Sequence, residues 1–95
     1  MAVAKRATTE ELQRLYRAFS QLDDADDIRA LMEDMCTIRE VNEMAQRLNV
    51  AFMLDDGISY NAIQEKTGSS ATTIARVSKA LNFGAGGYRN VIDNE

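Results

Sequence analysis

The polar residues best placed to do chemistry lie close together, between Asn61 and Lys79. Ser69, Ser70, Ala71, Thr72 and Thr73 make a run of short side chains, and Ala75, Arg76 and Lys79 follow at helical spacing. Asn61, Gln64 and Lys66 come just before them. Short side chains approach base edges closely: alanine and threonine suit a thymine methyl, and serine or threonine can donate or accept. Amides at the start of a helix can hold phosphate. Asn61, Gln64 and Lys66 are then placed for backbone or edge contacts, Arg76 for contacts one turn into the helix, and Lys79 towards phosphate. The chemistry this pattern implies is recognition of double-stranded DNA. The plainer reading is that the Ser-Ser-Ala-Thr-Thr run only caps and fills an exposed helix.

Catalysis has no comparable constellation. The chain has no histidine and one cysteine, Cys36. That excludes an intramolecular disulfide, Cys/His zinc sites and any nucleophile activated by histidine. Cys36, beside Met35, reads as a small half-buried hydrophobe, and the methionines as packing residues. An enzyme, a metal and a cofactor are therefore not expected.

The elements that must position these residues are two short helices in Gly57–Leu81. Ser59 opens the first and Gly68 closes it; Ser69 or Ser70 then caps a second helix running to about Leu81. Ile63, Ile74 and Val77 are spaced so that apolar faces of the two helices meet across the turn. Helix, glycine turn, helix is the DNA-reading helix-turn-helix arrangement, with the second helix entering the major groove.

The remaining chain supplies a body. Residues 1–8 read as a loose arm. Thr8 with Glu11 forms a capping box, and Leu12, Leu15, Tyr16, Phe19 and Leu22 make one helical stripe. The acidic run Asp23–Asp27 lacks the glycine and the later glutamate of a calcium loop, so it reads as helix-capping carboxylates. A second helix carries Ile28, Leu31, Met32 and Met35 on one face. Thr37 with Glu40 starts a third, whose apolar positions run Ile38, Val41, Met44, Ala45, Leu48, Ala51, Phe52, Met53 and Leu54. So wide a stripe wants burial on more than one side, as at the centre of an intertwined dimer. Gly84-Ala85-Gly86-Gly87 forms a flexible stop rather than a phosphate loop, since no strand precedes it and no Lys-Ser/Thr follows. Tyr88, Val91 and Ile92 fit a last short helix. No period-two run suggests a strand.

The expected fold is thus all-α with about six helices, in one domain spanning 1–95. Its parts are a loose arm over 1–8, dimerisation helices over 9–56, a helix-turn-helix over 57–82, and a glycine-rich turn with a short helix over 83–95. With 95 residues, 45% of them hydrophobic, the chain can build only a modest core and gains by dimerising. No apolar run is long enough for a membrane span, and no secretory signal opens the chain. A soluble, cytoplasmic protein is expected. The net charge of −4 argues at first sight against nucleic acid, but its distribution matters more. Residues 10–56 hold twelve acids against five bases, a balance of −7, while residues 57–95 hold four bases against three acids, +1. The sparse bases predict weak non-specific binding and a shallow salt dependence. They also leave open a second reading, a helical dimerisation or adaptor module without DNA binding.

At this point the residues resemble a known family. Ile38–Leu81 and the six-helix plan look like the bacterial Trp repressor, and Leu81-Asn82-Phe83-Gly84 with Gly87-Tyr88 resembles the Trp-repressor-related YerC/YecD group. The likeness covers most of the chain from about Leu12 and aligns without gaps from Gln46 to Leu81. Its most specific pieces are Ser59 with Ile63, Gly68, and Thr73-Ile74-Ala75-Arg76. The resemblance implies an intertwined homodimer with two heads one DNA turn apart, and DNA contacts at Asn61, Gln64, Ala71, Thr72, Ala75 and neighbours. It also implies where a tryptophan ligand would sit, and there the chain departs. Arg76 matches one of the two arginines that sandwich the indole, but the other falls at Gln46. Arg47, the next residue, points about 100° away. The glycine after the first arginine is Val77, whose side chain fills indole space, and the serine that receives the amino group is Ala80. A transcriptional repressor that does not respond to tryptophan is the expectation, with any other effector unspecified.

Overall fold

A computed structural model describes residues 5–95, so residues 1–4 of the expected arm lie outside the described residues. Within them the chain forms six helices and no strand: α1 (Thr9–Ser20), α2 (Ala25–Met35), α3 (Ile38–Asp55), α4 (Tyr60–Thr67), α5 (Ala71–Phe83) and α6 (Gly87–Asp93). The chain divides into two compact units, the first ending at Thr37 and the second running Ile38–Glu95.

The first unit is built on its caps. Thr8 Oγ1 accepts from the Glu11 N–H at 3.1 Å, and Glu11 Oε1 accepts from the Thr8 N–H at 2.8 Å. The backbone donor at Thr8 favours the ionised carboxylate and holds Glu11 below its usual range. In the acidic run, Asp24 caps α2 by accepting from the Asp26 N–H at 2.8 Å, and Asp26 and Asp27 occupy the positive first turn. Neither α1 nor α2 has a buried side chain. The α1 stripe stays open, with Leu12 38%, Leu15 36% and Tyr16 56% exposed.

The second unit closes around five buried residues, Val50, Ala51, Ile63, Ile74 and Val77. They come from three helices: α3 supplies Val50 and Ala51, α4 supplies Ile63, and α5 supplies Ile74 and Val77. Met53, Leu54, Ile58, Tyr88 and Ile92 pack against them. The sequence groups α3 with the first two helices as a dimerisation body. In the fold its C-terminal half is also the floor under α4 and α5, and Val50, absent from the expected stripe, is fully buried there.

Three terminations fix this unit. The helix α3 ends in a Schellman pattern, with the Gly57 N–H donating to Leu54 O at 3.0 Å and the Ile58 N–H to Met53 O at 3.1 Å. Two residues past the expected end, α5 stops at Phe83, and the Gly84 N–H bonds to Ala80 O at 2.9 Å. A Cβ on Gly84 would drive into that same Ala80 carbonyl, so the stop is a close backbone approach rather than a loose glycine tract. Arg89 then ties α6 to the end of α3, donating to Asp55 Oδ1 at 2.9 Å and to Asp93 Oδ1 at 3.3 Å. Asp55 first and Asp93 second raise the Arg89 pKa further above its already high value.

Candidate nucleic-acid interface

The turn between α4 and α5 is specified residue by residue. Ser59 caps α4 by accepting from the Ala62 N–H at 3.2 Å. Gly68 ends α4 in the left-handed region, φ +74°, with its N–H on Gln64 O at 2.9 Å. An added Cβ at Gly68 would meet nothing within 4 Å, so any side chain there is opposed by backbone sterics alone, about 1 kcal/mol. Thr67 Oγ1 donates to Ile63 O at 2.7 Å and accepts from the Ser69 N–H at 3.1 Å, folding the chain back over the helix end.

Of the two serines that could cap α5, Ser70 does so. Its Oγ accepts from the Thr73 N–H at 3.1 Å and donates to Thr73 Oγ1 at 3.1 Å. Ser69 departs from the expected contact set. Its amide is engaged by Thr67, its side chain is 5% exposed, and its Oγ has no hydrogen-bond partner. A side chain enclosed in the turn cannot meet a base edge, so the accessible surface of the head starts at Ser70.

From there the exposure pattern is one-sided. Ala71, Thr72, Ala75, Arg76 and Lys79 are all exposed, whereas Ile74 and Val77 are buried. These exposed positions recur at three- and four-residue spacing and therefore form one face of α5, opposite the core. Thr73 is half-buried with its hydroxyl engaged by Ser70. On α4, Asn61 and Lys66 are exposed and Gln64 is half-buried. The head's basic surface thus comes from Lys66, Arg76 and Lys79, because Arg89 is drawn into ion pairs with Asp55 and Asp93.

One residue in this arrangement has no signal in helical periodicity. Gln46, on α3, donates through Nε2 to Thr67 O at 2.8 Å. The Thr67 carbonyl belongs to the last turn of α4, where carbonyls lack partners within the helix.

An exposed helix face presented by a capped two-helix unit on a helical floor defines a helix-turn-helix protein. The comparisons with known proteins are specific about which. The model of the Trp repressor protein family matches residues 10–95, and the chain belongs to that family. It is 39% identical over 84 residues to the uncharacterized protein YerC of Bacillus subtilis (strain 168), covering 88% of this chain and 81% of that protein. Among solved structures, a TrpR-like protein from Eubacterium eligens superposes with a TM-score of 0.86 at 41% identity, over 90% of this chain and 89% of that one. A proposed Trp repressor from Staphylococcus aureus superposes with a TM-score of 0.85 at 31% identity, over 92% and 87%. The family is one of helical DNA-binding regulators rather than enzymes. Among the described residues no helix is long and apolar enough to cross a membrane.

Proposed function

We propose that the chain is a homodimeric transcriptional repressor that reads duplex DNA through α5. The observation that carries this reading is the single exposed face of α5, Ala71, Thr72, Ala75, Arg76 and Lys79, projecting from an N-terminus capped by Ser70. In a helix-turn-helix the N-terminal part of the second helix meets base edges. Small side chains at that end and positive charge further along match this division of labour. Asn61 and Lys66 flank the same head from α4, with Gln64 contributing its half-exposed amide.

Dimerisation is supported by apolar surface that a single chain leaves wet. Leu12, Leu15 and Tyr16 on α1, Ile38 at 82% and Phe83 at 85% are all exposed. A small protein with that much open apolar surface gains by covering it with a second copy.

The test is selection from fragmented genomic DNA with the purified chain, followed by sequencing of the bound fragments. The expected product is a near-palindrome whose half-sites are centred about 34 Å apart, one helical turn. Recovery of no enriched motif at moderate salt would sink the DNA-binding reading and favour an adaptor module.

Tryptophan does not act as the effector in this reading. Val77 is 2% exposed and its side chain is turned into the core rather than into indole space, so the reading rests on Gln46, whose amide is occupied by the Thr67 carbonyl, and on Ala80. Ala80 lines an open apolar groove with Leu48, Tyr88 and Val91, and offers no hydroxyl to an ammonium group. Titration calorimetry with L-tryptophan should show no binding heat. A micromolar binding isotherm would overturn this.

A further inference from the structure

We propose that Gln46 is a positioning residue for the reading helix: it ties α3 to the carbonyl that ends α4 and so sets the turn from which α5 projects. The proposal rests on the DNA-binding reading above.

Three observations carry it. The Gln46–Thr67 bond spans 21 positions of the chain. Every other side-chain hydrogen bond described between residues 57 and 83 joins residues two to four positions apart. Gln46 is therefore the side-chain polar tie described between the head and its floor. The bond also lands where it has most leverage. Thr67 is the last residue of α4, and its hydroxyl holds the Ser69 amide at 3.1 Å, one residue before the Ser70 cap of α5. Finally, Gln46, Val50 and Leu54 follow one another at four-residue spacing on α3, so they share a face. Val50 is in the buried core and Leu54 packs against it. The same face that supports α4 and α5 by apolar contact holds their connection by a hydrogen bond.

Apolar contact is non-directional, so packing alone leaves the last turn of a short helix some freedom of position over its buried side chains. A directed bond to a half-buried carbonyl removes that freedom, and losing its donor leaves the carbonyl unsatisfied.

The test uses the full chain with Gln46→Met, which keeps the length of the side chain but has no donor, and Gln46→Glu, which sets an acceptor against the carbonyl. The DNA probes are the best duplex recovered from a random library of about 24 base pairs, two helical turns, and a scrambled duplex of equal composition. Both variants should still unfold cooperatively, with stability lowered by no more than the lost bond, about 1–3 kcal/mol, and should bind the scrambled duplex as the parent does. Their affinity for the selected duplex should fall about tenfold, the scale of one lost hydrogen bond with a stranded acceptor. In DNA-free protein, amide exchange at Gly68 and Ser69 should quicken by a similar factor. Unchanged affinity of Gln46→Met for the selected duplex would overturn the proposal, as would unchanged exchange at Gly68 and Ser69. Loss of cooperative unfolding in both variants would overturn it too, by making Gln46 a residue of general stability. Failure of the unaltered chain to select any duplex would instead remove the DNA-binding reading, and this proposal with it.

Discussion

Ile74→Ala is expected to destabilise the chain by about 2–5 kcal/mol, the range for removing a buried isoleucine side chain down to Cβ. Ile74 is fully buried in a core of five residues. Its neighbours Val50, Ile63 and Val77 come from three helices, so none can close the cavity without moving a helix. The upper part of the range is therefore the better expectation. Against a typical domain stability of about 5–15 kcal/mol, such a loss leaves a large unfolded fraction at modest denaturant. Urea titration followed by far-UV circular dichroism should show a lower midpoint, with Thr72→Ala on the exposed face within about 0.5 kcal/mol of the parent. A midpoint unmoved by Ile74→Ala would mean that α5 is not held by this core.

The same five-residue core marks what the sequence made legible. Ile63, Ile74 and Val77 follow from local periodicity, and the caps at Ser59 and Gly68 follow from residue types that satisfy helix ends or tolerate positive φ. These are local rules, and α4 and α5 obey them. Periodicity fell short on α3. Its strongest run, Ile38, Val41, Ala45, Leu48 and Phe52, ascends one side of the helix, while the side that meets the head carries Gln46, Val50 and Leu54. A helix with apolar residues on two sides carries two stripes, and the longer one masks the shorter. Val50 is hidden in the sequence for that reason. In the sequence Gln46 stands only as the counterpart of a ligand arginine, because a glutamine that bonds a carbonyl 21 residues away has no signature in spacing.

The cap of α5 is likewise decided in three dimensions, between Ser69 and Ser70. Either serine satisfies the residue preference at an N-cap. The choice is made one turn earlier, where the Thr67 hydroxyl takes the Ser69 amide and turns that side chain inward. Ser70 is left at the start of α5 with its hydroxyl facing the Thr73 amide. Charge balance is a similarly incomplete guide at Arg89, one of the four bases counted over residues 57–95. Its guanidinium serves the α3–α6 junction instead.

Ala75→Glu is expected to abolish specific DNA binding while leaving the fold intact. Ala75 is exposed at the middle of the outward face of α5, one turn beyond Ala71 and one turn before Lys79. If that face enters a groove, a carboxylate there is pressed against a polyanion. Like-charge juxtaposition at an interface costs several kcal/mol, so affinity should fall on the order of 100-fold or more. Arg76→Ala deletes one cationic contact and should cost less, about 1–3 kcal/mol. Folding should respond in the opposite sense. Glutamate has good helix propensity, and at position 75 it stands four residues before Lys79, in the favourable orientation for an ion pair along the helix. Electrophoretic mobility shift with the selected duplex should therefore show lost binding for Ala75→Glu, with a thermal midpoint at or slightly above that of the parent. This opposition separates the two readings of the chain. Binding retained within about threefold, a difference of under 1 kcal/mol, would show that the face of α5 does not meet DNA. The capped head would then be a shape put to use in protein contacts.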